Sequence, residues 1–334
     1  MPVTAQDIAN ELGLSQPTVS RILSGASGHR VSAKTRDRVL AAAQRMKYRP
    51  NAVAQSLRHG RTNIVGFYSS HGYLDTRNDF QAEIIGGLQQ ACDTHHLDLL
   101  LHGIFPGRSP EDIHAELCNG RIDGLLLHAP SDDAVVKHLA GASYVQPSLH
   151  VVAMTDPLAN LPSVVCDDAD GMRQLIDYLW QRGHRRIAFI TTQMSLSSVK
   201  RREEAFRHLL RQRGLSPDEI LVEKIEIEEA APVLDALLSC ARPPTAVCCW
   251  NDRTAYSFME ACRKRGVRVP DDFAVTGFDG FLDDKMPLCQ LVTVASPHRE
   301  VAATSMGVLI RGMNGEEVPL ETTLPVRLSP GDTA

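Results

Sequence analysis

The chain has 334 residues, 43% of them apolar and 22% charged, with a formal net charge of −5; a chain this long buries large cores and divides into two or three domain-sized units. No run of about 18 apolar residues occurs, and the opening MPVTAQDIANELG carries Asp7 and no apolar stretch of signal-peptide length, which excludes membrane-spanning and secretory readings and points to the cytoplasm. The charge is uneven: residues 1–62 hold ten Lys/Arg against Asp7, Glu11 and Asp37, a charge of +7, so residues 63–334 carry −12, the footprint of a small basic module for phosphate backbones on an acidic body.

Thr4, three residues before Asp7, predicts a capping box, Ile8 and Leu12 give an apolar stripe, and Gly13 suits a left-handed helix end, so a first helix is expected over about 5–12. Ser15 is positioned to cap a second helix over about 16–24, in which Pro17 is tolerated in the first turn and Val19, Ile22 and Leu23 face inward. Two helices this short around a three-residue turn are a helix-turn-helix, whose second helix points its first residues into the DNA major groove. Ser32 caps a third helix over 33–47, with Val39, Leu40, Ala43 and Met46 closing a three-helix core. Pro50 as first helical residue and Gly60 as terminator bound a further helix of about two turns, too short to be stable alone and in need of DNA or a partner chain.

From Asn63 the pattern changes to apolar runs alternating with amphipathic stretches. IVGFY (64–68), LDLLLHG (97–103), GLLLHA (124–129) and VVAMT (151–155) alternate with helices near 79–95, 110–119 and 132–140, a βαβ rhythm that implies a parallel sheet covered on both faces. The rhythm begins again at SVVCDD (163–168) and continues through RIAFITT, LVEKIEI, TAVCCW and FAVTGFD, after which a helix near 298–314 returns the chain to the first half. Two such lobes suggest a clamshell that binds ligands at strand C-terminal ends. The eight cysteines show no C-x-x-C spacing, so no metal, disulfide or cofactor is expected.

VTAQDIANELGLSQPTVSRILSG, VSAKTRDRVLAAAQRMKYRPNAVAQSLRHGRT, RGHRRIAFI and VTGFDG resemble the LacI/GalR (lactose-repressor) family of bacterial transcription regulators, from Val3 to about Ser329. The resemblance implies an N-terminal all-α helix-turn-helix domain (1–49), a hinge helix and linker (50–62), and a two-lobed periplasmic-binding-protein-like α/β core with Rossmann-like parallel sheets (63–334). It places Gln16 and Pro17 at base-reading positions with Ser20 and Arg21 one turn on, and Thr4, Ser15 and Thr18 at backbone-contacting ones. Gln pairs with adenine and Arg with guanine, whereas Pro17 reads only by apolar contact. In the hinge, Leu57 takes the position of a wedge pushed between base pairs, with Asn51, Ala54 and Gln55 flanking it in the minor groove; the alternative destination for Leu57 is the core of the body.

The same resemblance places an effector in the interlobe cleft, with Asp279 receiving vicinal hydroxyls, Arg202 as the cleft arginine, and Ser198, Asn251 and Asp170 at further pocket positions. Asp279 is alternatively a turn residue, Asn251 and Asp170 helix caps, and Arg201 a competitor of Arg202. The chain departs from the pattern at Ala205, where Gly is usual, and at IEIEE (225–229), where an aromatic ring is frequent; Tyr73, Asp79 or Phe80 could supply that contact. No Walker loop, G-x-S-x-G elbow or H-E-x-x-H occurs, and His184 reads as structural. The expected protein is a homodimeric, effector-responsive repressor acting on a palindromic operator and a sugar-like effector, without a tetramerising tail; the alternative is a constitutive DNA-binding protein with a vestigial sensor body.

Overall fold

The computed structural model describes residues 3–24, 31–51, 54, 56, 60–70, 78–102, 107–141, 149–194, 196–225, 229–281 and 289–334, and the chain divides into two compact units, Met1–Asn63 and Ile64–Ala334.

In the first unit, α1 (Ala5–Leu12) opens on the Thr4–Asp7 capping box and closes on Gly13 at φ 65°. The Asp7 carboxylate accepts the Thr4 amide at 2.8 Å, and this bond, then the Thr4 hydroxyl, holds its carboxyl below the usual range. The second helix, α2 (Gln16–Leu23), carries Pro17 in its first turn. Ser15 supplies no side-chain cap to it: its hydroxyl pairs with the Thr18 hydroxyl at 2.8 Å instead of an amide. The third, α3 (Ala33–Arg45), is capped by Ser32. Ile8, Ala9, Val19, Ile22, Val39, Ala42 and Ala43 form the core. Leu40, expected inside, is 48% exposed, and Ala42 lies inward in its place. The start of the following turn also differs from expectation. Asn51 Oδ1 accepts the Ala54 amide at 3.3 Å, so Asn51 is the cap and Pro50 precedes it; Gly60, at φ 69°, donates to the Ser56 carbonyl. Gln55 and Leu57 lie outside the described residues.

In the second unit the chain runs β1 (Ile64–Ser69), α4 (Asp79–His95), β2 (Asp98–His102), α5 (Pro110–Leu117), β3 (Gly124–His128), α6 (Ala134–Gly141), β4 (His150–Met154), β5 (Ser163–Cys166) and α7 (Asp168–Gln181). It continues through β6 (Ile187–Thr192), α8 (Ser197–Gln212), β7 (Leu221–Ile225), α9 (Ala230–Leu238), β8 (Ala246–Cys249), α10 (Asp252–Arg265) and β9 (Ala274–Thr276), and ends with β10 (Thr293–Ala295), α11 (His298–Met313), β11 (Glu321–Leu324) and β12 (Arg327–Ser329). One parallel sheet has the order β11-β5-β4-β3-β1-β2, a second β7-β6-β8-β9, and β10 pairs with β12 in a two-stranded antiparallel ribbon. Strands β3, β5 and β8 are buried along their whole length, the mark of sheets covered on both faces.

The second rhythm of the sequence starts one strand later than its pattern suggests. SVVC pairs with β4 and β11 in the first sheet, and the chain crosses to the second lobe only through α7. Helix α11 packs back on α4, returning the chain to the first lobe. Near the crossing the packing is close: a Cβ on Gly171 of α7 would stand 2.5 Å from the Phe278 ring and 3.1 Å from Val294. Gly171→Ala should therefore destabilise the protein by about 1–3 kcal/mol through overpacking, seen as a lower urea midpoint with unchanged slope.

Candidate functional site

Two sets of residues stand out. In the first unit, α2 presents Pro17 and Arg21 outward and Gln16 in part, while Arg36, Arg38, Lys47 and Arg49 are exposed elsewhere on the same small unit. Thr4 is exposed but its hydroxyl is engaged by Asp7, and Thr18 by Ser15. Ser20, read as a DNA-facing residue one turn on, lies on the inward side of α2 and is buried.

The second set gathers where the C-terminal ends of both parallel sheets meet. Arg202, on α8, is 5% exposed. Its Nε donates to Asp168 Oδ1 at 2.7 Å, one terminal nitrogen donates to the Trp250 carbonyl, the other lies 3.5 Å from Asp279 Oδ1, and its guanidinium lies 3.6 Å from the centre of the Phe278 ring. Burial works against its charge, but Asp168 and then Asp279 outweigh it and hold the group more firmly protonated than a free arginine. The neighbouring Arg201 takes the other oxygen of Asp168, at 2.7 and 2.9 Å, and reaches the Thr155 carbonyl at 3.3 Å. Both arginines therefore share one carboxylate, Arg202 inside and Arg201 at the edge.

Asp279 follows β9 with φ at 121°, a backbone region costly for any residue but glycine. Its side chain is 12% exposed, and among the described residues its nearest basic neighbours stand at 3.5 Å (Arg202) and 3.7 Å (His298). The loop is pinned by Asp252, whose Oδ2 accepts the amides of Gly280 and Phe281 at 2.7 and 2.6 Å and whose Oδ1 accepts the Thr293 hydroxyl at 2.5 Å. On the first-lobe side, Phe80 packs its ring 5.1 Å from His128 and 4.9 Å from His298. Ser198 lies in the first turn of α8, whose Ser197 amide is taken by Asp156 Oδ1 at 2.5 Å. Asn251 caps α10 by accepting the Thr254 amide at 2.8 Å. Asp170 stands apart: it binds Arg173 and Gln174, and Gln174 in turn accepts the Leu328 amide of β12. The cap of α7 is Asp167. Among the described residues no group of three His, Cys, Asp or Glu side chains is arranged to hold a metal ion.

Residues 4–51 match the family of bacterial regulatory proteins, lacI family, and residues 176–334 the periplasmic binding protein-like domain. The chain is 29% identical over 312 residues to the HTH-type transcriptional regulator DegA of Bacillus subtilis (strain 168), spanning 91% of this chain and 89% of DegA. It is 26% identical over 319 residues to the HTH-type transcriptional repressor PurR of Vibrio cholerae, spanning 94% and 92%. Its fold matches the lac repressor dimer bound to operator and the anti-inducer ONPF with a TM-score of 0.84, at 25% identity and coverage of 100% and 99%. Residues 4–51 thus carry the DNA-binding domain of the lacI family and residues 176–334 a periplasmic binding protein-like domain. The chain is a DNA-binding transcription regulator, and its relatives are regulators, not enzymes.

Several residues of the cleft escaped the sequence reading. Asp168 lies two positions from the Asp170 that was singled out, in CDDADG, and only the direction of the first turn of α7 separates them. Asp252 was hidden behind Asn251, and His298 was one of 13 histidines. His184, read as structural, pairs with the Thr245 hydroxyl at 2.9 Å.

Removing Asp168 leaves a buried guanidinium short of its main partner, so Asp168→Ala should cost about 3–5 kcal/mol of stability, measured by urea unfolding. Asp252 gives a pH signature. Burial, then the charge of Asp279, push its carboxyl up to about 7, against the pull of Thr293 and the loop amides. A carboxyl raised in the folded state favours folding fully below the unfolded value near 3.8 and loses that contribution as pH rises through about 7. Over that window wild-type stability should decline relative to Asp252→Asn, checked by unfolding curves across the range.

Proposed function

We propose that this chain represses transcription by binding a palindromic operator as a homodimer and that a small, uncharged, hydroxyl-rich effector of the carbohydrate class, held between the two lobes, changes its grip on DNA. In this reading residues 1–49 form the DNA-binding domain, 50–62 the hinge and 63–334 the sensor and dimerisation body, and the protein acts in the cytoplasm. The observation that carries it is the exposed start of α2 on a compact basic three-helix unit, joined in one chain to a cleft in which, among the described residues, the Asp279 carboxylate has no side-chain partner nearer than Arg202 at 3.5 Å and His298 at 3.7 Å. The lac repressor structure with operator and ONPF is a relative in which both halves are occupied.

Gln16 and Arg21 read base edges, Pro17 makes an apolar contact, and Thr4, Ser15 and Thr18 meet the backbone. Asn51, Ala54, Gln55 and Leu57 work in the minor groove, with Leu57 as the wedge. In the cleft Asp279 accepts effector hydroxyls, Arg202 orients it, Phe80 offers a ring face, and Ser198 and Asn251 complete the surroundings.

The test is a selection of bound duplexes followed by anisotropy titration. Gln16→Ala and Arg21→Ala should each weaken the selected palindrome by about 1–3 kcal/mol and relax preference at one position per half-site, while Asp279→Ala should abolish the effector response and spare operator binding. A protein that binds every duplex alike, or whose DNA affinity ignores all metabolites, would refute the corresponding half.

A further inference from the structure

His298 is the first residue of α11 and is 5% exposed. Its ring is enclosed by other rings: Phe281 stacks on it at 5.3 Å with planes 24° apart, and Phe80 meets it edge-on at 4.9 Å and 79°. Among the described residues neither Nδ1 nor Nε2 has a hydrogen-bond partner. Among the described residues the carboxylate nearest its ring nitrogens is Asp279, whose Oδ1 stands 3.7 Å from Nε2, too far for a hydrogen bond.

A buried imidazole with both nitrogens idle is a defect that folding alone does not explain, since phenylalanine would fill the same ring cage without leaving polar atoms dry. The surroundings hold the ring in place with some care. Phe281 is fixed through its amide by Asp252 and through its carbonyl by the Tyr256 hydroxyl at 3.2 Å, and Phe80 is braced by His128. Nε2 is closed to solvent here, and an oxygen lying about 2.8 Å from each atom fits once the pair parts from its 3.7 Å separation. A hydroxyl there accepts from Nε2–H and donates to Asp279, satisfying both groups at once. Water meets the same polar need but leaves the neighbouring ring faces uncovered, whereas the carbon skeleton of a polyol covers them.

We propose that His298 is a specificity-determining residue of the effector cleft, reading a ligand hydroxyl jointly with Asp279. The proposal rests on the cleft reading given above and adds a chemical demand to it: the effector presents an alcohol between the first residue of α11 and the end of β9, and an analogue lacking that hydroxyl is rejected. A site built to pair a hydroxyl discriminates strongly against its absence, because the pairing groups are left unsatisfied.

The experiment titrates a panel of neutral mono- and disaccharides and polyols against wild type, Asp279→Ala, His298→Phe and His298→Gln, by calorimetry and thermal shift. The expected result is one or more panel members that bind wild type, a Kd raised about tenfold or more in His298→Phe, equivalent to a lost hydrogen bond, and partial recovery in His298→Gln, which keeps a donor. Without ligand, His298→Phe should melt no lower than wild type, which separates a reading role from a structural one. If His298→Phe binds as tightly as wild type while Asp279→Ala does not bind, the His298 proposal falls and the cleft reading stands. If no panel member binds wild type, both fall.

Discussion

The body of this protein is organised around a positive charge it cannot hydrate. Arg202 is sealed between Asp168, the Trp250 carbonyl, Asp279 and the Phe278 ring, groups contributed by the start of α7, the end of β8 and the end of β9. A buried guanidinium with all its partners adds little net stability, but one that loses a partner is severely unfavourable. The consequence is geometric specification: three chain segments that approach from different directions must meet at one point. That point is the mouth of the second sheet, where the crossing from the first lobe also arrives.

The motif VTGFDG follows from the same constraint. A Cβ at Gly277 would collide with Asp252 Oδ1 and stand 2.8 Å from Leu291, so glycine there lets the Asp252 carboxylate reach under the loop to the amides of Gly280 and Phe281. Gly280 sits at φ 88° with its Cα against Ala295, where a Cβ would come within 2.8 Å of backbone. Between them Asp279 holds a strained φ of 121°, its amide donating to the Val294 carbonyl and its carbonyl accepting the Ser296 amide. Strain of this kind persists only where the surroundings over-determine it, and it collects at functional positions.

Much of this was legible in the sequence, for identifiable reasons. The capping box at Thr4, the left-handed Gly13 and the period of the long helices are local signals, and the structure has them where the pattern put them. The apolar runs announced parallel strands, but not the sheet each would join: SVVC looks the same whether it pairs with β4 or opens a new lobe, because register is decided by partners far away in sequence. In the same way Leu40 and Ala42 are both compatible with the stripe of α3, and only packing against α1 and α2 chooses the alanine. The cleft was half legible. Asp279 and Arg202 stand out by motif, whereas Asp168, Asp252 and His298 matter through long-range polar geometry that no local period encodes, and the Asp170 reading failed to separate neighbours on one helical turn.

What remains is how a ligand between these lobes could act at a distance. The lobes are already tied at their rim: Asp156, after β4, accepts the Ser197 amide of α8, and Thr155, at φ 66°, turns its carbonyl toward Arg201. These bonds stabilise one arrangement before any effector arrives. A ligand shifts such an equilibrium only by as much as its contacts differ between the two arrangements. Contacts confined to one lobe would tighten binding without moving anything. His298 and Asp279 are joined through the backbone, since the Asp279 amide donates to the Val294 carbonyl and the Asp279 carbonyl accepts the Ser296 amide two residues before α11, so a molecule that meets only this pair holds one side of the junction. Coupling therefore requires a molecule that also reaches the rim, where Asp156 and Thr155 meet α8, because those are the contacts that differ when the lobes part.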